Sequence, residues 1–226
     1  IASRRVYLLR RTIRLANFDD TSLQSLTENI AHQLGIRRQV RVAMVQANTS
    51  PFIWVEQKAI YIVISESLRR SLTHCHLRSV MLHELSHYLR RDHWSNSLGF
   101  LVLAVCWWNP VSWIAVRKMR ALQEYCCDAM AIAKSQLSRR EYAECLYQIT
   151  HFIESRNCSL PASACELFGH TSVEERFKMI SNKSVDFRLT KVGLLTVLFL
   201  SALLPCTIAF SQADSKAVQK DKVQQA

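Results

Sequence analysis

From Leu98 to Val116 the chain reads LGFLVLAVCWWNPVSWIAV, nineteen residues without a charged side chain. A run of that length and character is nearly enough to cross a bilayer as one helix. Wherever it goes, it decides on which side of an apolar medium the residues before and after it emerge. Ten residues separate it from HELSH, at His83 to His87.

The composition fits an apolar surrounding. Lys and Arg number 29 against 18 Asp and Glu, a formal charge of +11, while 49% of the residues are hydrophobic. The basic residues come in short clusters, such as Arg4/Arg5, Arg10/Arg11, Arg90/Arg91 and Arg139/Arg140, spread along the chain. Scattered clusters beside apolar runs suit the positive, cytoplasmic side of a membrane, whereas a nucleic-acid binder concentrates them on one face. No direct nucleic-acid partner is expected. The 8 cysteines include no C-x-x-C pair, and buried reduced thiols are expected rather than a disulfide framework. A first residue of Ile without a signal-peptide pattern is expected of a chain whose upstream segment has been removed.

The periodicity predicts an α+β chain, mostly helical. Residues 1–18 form a basic amphipathic segment suited to a membrane surface. Leu23, Leu26, Ile30 and Leu34 keep helical spacing between capping candidates at Asp19 to Thr21 and a stop at Gly35. VRVAMVQ, PFIWV and AIYIVIS, between Val40 and Ser65, are β-branched and aromatic runs that predict a three-stranded antiparallel meander. Thr73 then caps a helix reaching about Arg91, so HELSH lies inside it. Further helices are predicted at about 117–134, 138–156 and 172–181, with capping boxes at Ser138/Glu141 and Thr171/Glu174 and a loop at 158–170. Val192 to Phe210, again uncharged, reads as a transmembrane helix, followed by a polar tail at 211–226. The domain between, 19–191, contains the hairpin candidate 98–116.

On a helix, residues four apart share a face, so His83 and His87 present two imidazoles to one point. Glu84 sits beside the first. Two such histidines with an adjacent carboxylate are what metal-assisted hydrolysis of an amide requires: ligands for the ion and a base for its water. A third ligand is then needed. Glu124 in ALQEYCCDAMAIA is the best candidate, with Cys126 and Cys127 as thiolate rivals. Asp128, one turn beyond Glu124, can orient His83 or His87 from behind. Among the remaining histidines, His170 is the candidate for stabilising an oxyanion. If Leu98 to Val116 crossed a membrane once, His87 and Glu124 would emerge on opposite sides and could not share an ion. The run must therefore return. Asn109-Pro110 is where it should turn, because Pro lacks a donor and pushes the preceding residue out of the helical region. Trp107, Trp108 and Trp113 suit the interface.

The order of strands, HELSHYLRRDH, an apolar segment with WWNPVSW, EYCCD and a C-terminal apolar run resembles the BlaR/MecR-type membrane zinc metallopeptidases over residues 1–210. The resemblance implies a gluzincin domain facing the cytoplasm of a bacterial inner membrane. It implies one Zn2+ per chain on His83, His87 and Glu124, with Glu84 as base and Asp128 as the acidic partner. It also implies a protein or peptide substrate, either the chain itself or a cytoplasmic repressor, cleaved in a transmembrane signalling pathway. No S-x-x-K motif follows Phe210 in these 226 residues, so the peptidase is implied and β-lactam sensing is not. Two other readings compete: an inactive transmembrane signalling or scaffold protein, against which the intact Glu84 speaks, and a CAAX-processing type peptidase, against which the N-P-x-x-W turn speaks.

Overall fold

The computed structural model describes residues 16–56, 59–155 and 173–181, all within one compact unit, Ile1–Lys183. Helix α1, Thr21–Gln33, starts where the Asp20 carboxylate accepts from the Leu23 amide. It stops at Gly35, whose φ of 73° a side chain would disfavour. There the Gly35 and Ile36 amides reach back to His32 and Ala31, closing a Schellman motif.

Three strands follow: β1 at Gln39–Val45, β2 at Phe52–Val55 and β3 at Ala59–Ser65. The sheet order is β1-β3-β2, with β3 parallel to β1 and antiparallel to β2. The expected antiparallel meander is thus corrected to a mixed sheet. Burial gives the reason. In β3 every residue but Tyr61 is buried, so it belongs in the centre with neighbours on both sides, as continuous apolar runs do. Burying Ile60, Ile62 and Ile64 contributes roughly 1.5–3 kcal/mol each. The outer edge of β1 is covered by a bridge from Asn17 to Met44, and the Gln24 side chain of α1 joins Val40 and Val42. β2 is left as the other edge of the sheet.

A short helix α2, Glu66–Ser71, leads to α3, His74–Leu89, whose first turn is capped by the Thr73 hydroxyl. Helix α3 is buried on most sides, by the sheet and α1 on one hand and by later helices on the other. Arg91, in the left-handed region at φ 59°, redirects the chain into α4, Asp92–Val105. The chain breaks at 106–109, and α5, Pro110–Ser135, runs back. Asn109 caps it by accepting from the Val111 amide, with Pro110 in the first turn, where its missing donor costs nothing. The turn thus falls at Asn109-Pro110, but α5 is longer than the expected 117–134 because its first two turns lie inside the apolar run. At Gly99 a Cβ would stand 3.3 Å from Met119 and 3.4 Å from Val116, so glycine lets the two arms approach closely.

Helix α6, Arg139–Ser155, opens with a reciprocal capping box: Ser138 N to Glu141 and Glu141 N to Ser138 Oγ. Helix α7, Val173–Ser181, packs on α5 and α6. Cys75, Cys106, Cys126, Cys127 and Cys145 are all free thiols. Among the described residues no helix is long and apolar enough to cross a membrane. Residues 1–15 of the segment expected at 1–18, the loop at 158–170, the cap at Thr171, the transmembrane helix at 192–210 and the tail at 211–226 lie outside the described residues.

Candidate metal centre

Helix α3 is held between the sheet and α5, so its middle turn is fixed where α5 passes. His83 and His87 point their Nε2 atoms towards each other, 3.3 Å apart. From α5 the Glu124 carboxylate completes a triangle, Oε2 3.5 Å from His83 Nε2 and Oε1 3.6 Å from His87 Nε2. Two atoms each bonded at 2.0–2.1 Å to one tetrahedral zinc ion stand about 3.3–3.4 Å apart. The three side chains therefore fit such an ion by spacing as well as by donor chemistry, and they form a possible metal-binding group.

Behind each imidazole stands a carboxylate. Asp128 Oδ1 lies 3.1 Å from His83 Nδ1, and Asp92 Oδ2 lies 2.9 Å from His87 Nδ1. Both rings are thus turned with Nε2 facing the centre, as carboxylates behind ligand histidines commonly do. Asp128 is itself held by Tyr142, which donates from its hydroxyl at 2.7 Å, and by Arg176, which forks onto both oxygens at 2.6 and 2.8 Å. Arg176 also reaches Glu124 Oε2 at 3.4 Å, and Arg90 pairs with Asp92 at 3.6 Å.

The electrostatics follow from this crowding. Burial alone would lower the His83 imidazole, but hydrogen bonds to Asp128 and Glu124 outweigh it and raise the group to about 10. Burial acts upward on Glu124, yet the His83 hydrogen bond and the Arg176 charge hold its carboxyl well below the usual range. Asp128 is likewise held down, at about 2, mainly by Arg176 working against burial. Glu84 goes the other way. It is 8% exposed, and burial lifts its carboxyl above the ordinary value although the neighbouring histidines oppose this.

Cys127 stands outside this triangle, and with His87 and Asp92 it forms a second group whose ligand atoms lie close enough together to hold an ion. Its sulfur lies 3.4 Å from His87 Nδ1 and 3.7 Å from Asp92, on the far side of the imidazole from the triangle. Burial raises its thiol above the ordinary range. Cys126 is only partly buried.

Of the residues singled out from sequence, the fold brings His83, Glu84, His87, Glu124 and Asp128 together. His170 lies outside the described residues. Asp92, Tyr142 and Arg176 went unassigned in the sequence reading. Asp92 stood in the RRDH string directly after the helix, the one available hint. Tyr142 and Arg176 arrive from separate helices, and local spacing carries no trace of them.

Regulatory protein BlaR1 of Bacillus licheniformis is 29% identical to the chain over 140 residues, 60% of this chain. The match spans 23% of that protein, less than a quarter of its length. The family model described as BlaR1 peptidase M56 matches residues 1–180, which contain every residue of the centre, and the chain belongs to that family.

Proposed function

We propose that the chain is a zinc-dependent endopeptidase that works at a membrane, cutting a regulatory protein, either itself or a cytoplasmic repressor. The observation that carries this reading is the triangle of His83, His87 and Glu124 with the buried Glu84 beside it. A zinc ion on those three side chains would supply Lewis acidity, making a water acidic enough to ionise near neutral pH and polarising the scissile carbonyl.

The remaining work falls to the chain. Asp128 and Asp92 hold the two imidazoles in one tautomer and one orientation, leaving Nε2 of each for the ion. Glu84 takes the proton of the attacking water at its carboxylate and passes it to the leaving amine. Its upward displacement by burial suits that task, because a base works best when its pKa approaches the operating pH. Strand β2, at the sheet edge and packed against α3, offers backbone groups to an extended peptide by strand addition. Membrane attachment is supported by the α4–α5 hairpin, which exposes Leu101, Trp107, Trp108 and Ile114, and the scattered basic clusters favour the cytoplasmic side. The regulatory role is suggested by the name of the Bacillus licheniformis relative.

Glu84→Gln separates catalysis from binding. The variant should keep one zinc per chain while hydrolysis of a co-reconstituted substrate, or of the chain itself, falls by about 10²–10⁴-fold. Hydrolysis within a few-fold of the parent would remove Glu84 from its role.

A further inference from the structure

We infer that Arg176 is a positioning residue for the metal centre: carried on α7, it fixes Glu124 and Asp128 in the orientations that receive the ion. The inference rests on the metal-centre reading. Four carboxylates, Glu84, Asp92, Glu124 and Asp128, crowd two imidazoles. Arg90 meets Asp92, and among the described residues Arg176 is the guanidinium that meets both Glu124 and Asp128.

Its geometry leaves it little else to do. Nε and Nη2 form the bidentate fork on Asp128 at 2.8 and 2.6 Å, while Nη1 faces Glu124 Oε2 at 3.4 Å. All three nitrogens thus look towards these two carboxylates. A planar, always-charged guanidinium grips one acid with a rigid two-bond fork while facing a second, a geometry the point charge of an ammonium does not fix. The oxygen of Glu124 that Arg176 holds is the one facing His83, and the oxygen of Asp128 that it holds is the one behind His83. His83 is therefore clamped from both ring nitrogens through Arg176. Without it, Asp128, 4% exposed, would lose the guanidinium that grips both its oxygens and keep only one-oxygen contacts to Tyr142 and His83, a looser hold on its orientation.

Neither ligand helix supplies this charge. Helix α7 is anchored independently by Tyr125, donating to Glu175 at 3.1 Å, and by Arg139, donating to the Ile180 carbonyl at 2.9 Å. Those contacts hold the helix without touching the triangle, which makes them controls.

The test measures zinc affinity of the full chain by competition with a chromophoric chelator, with folding followed by circular dichroism. Arg176→Gln should bind zinc about 10- to 100-fold more weakly, the usual cost of removing an outer partner of a metal ligand. Tyr125→Phe should stay within about twofold. Arg176→Gln combined with Asp128→Asn should be no worse than about threefold beyond the weaker single variant, since both changes remove the same fork between Arg176 and Asp128. If Arg176→Gln does not fold, Arg176→Lys carries the test, with a several-fold loss expected. Affinity of the folded Arg176 variant within twofold of the parent overturns the inference alone, as does an equal loss in Tyr125→Phe. A parent chain that binds no zinc overturns the metal centre and this inference with it.

Discussion

The two halves of α5 obey opposite rules. Its first turns, with α4, carry apolar side chains outward: Leu101 is 61% exposed, Trp107 67% and Ile114 60%. Its later turns bury Gln123, Cys127 and Asp128, and Asp128 is ionised. One helix thus places grease outside and charge inside. The buried charges are tolerable because each is paired: Asp128 with Arg176, Tyr142 and His83, and Asp92 with His87 and Arg90. The exposed apolar arm is the part that meets lipid under the proposed function.

The sharpest way to break this comparison is to ask what the apolar arm touches. Single cysteines at Leu101, Ile114 and Tyr147, in a background without native thiols, would carry an environment-sensitive dye in proteoliposomes. Tyr147 is equally exposed, at 60%, but lies on α6. Brominated lipid should quench the dye strongly at 101 and 114 and scarcely at 147. Equal quenching at all three would return the arm to an ordinary surface.

A smaller effect sharpens the charged half. The His83 imidazole is raised to about 10, so in the metal-free protein it carries a proton at neutral pH that a bound ion must expel. Because the folded value lies above the ordinary one, protonated His83 stabilises the metal-free fold below about pH 6.5, and this support fades as pH rises towards 10. Zinc affinity should therefore climb with pH from neutrality, by about tenfold per pH unit while one proton is released. Asp128→Asn, which removes one cause of the raised value, should flatten the climb at a lower pH. A pH-independent affinity would mean that His83 is already neutral.

What could be read from the sequence was local. The stops and starts of α1, α3 and α6 were written in Asp20, Gly35, Thr73 and the Ser138/Glu141 pair, because a cap is satisfied within a few residues. The turn at Asn109-Pro110 was legible because proline acts on its own backbone and its neighbour's. The strand order was not, since alternation and β-branching look alike in parallel and antiparallel pairs; only burial of β3 on both faces places it centrally. Asp92 was hidden by Arg91, whose left-handed conformation swings the carboxylate back to His87 in a way that spacing does not encode. The start of α5 was missed because an unbroken apolar run conceals a helix boundary.

The central claim is that two histidines and a distant glutamate hold one ion, without the adjacent thiols. Metal analysis of the purified chain beside Glu124→Ala and the double variant Cys126→Ser, Cys127→Ser tests it most directly. The account predicts one zinc per chain in the parent and in the double serine variant, with Glu124→Ala losing zinc on dialysis. Zinc retained by Glu124→Ala and lost from the serine variant would contradict it, and would reassign the site to thiolate ligation.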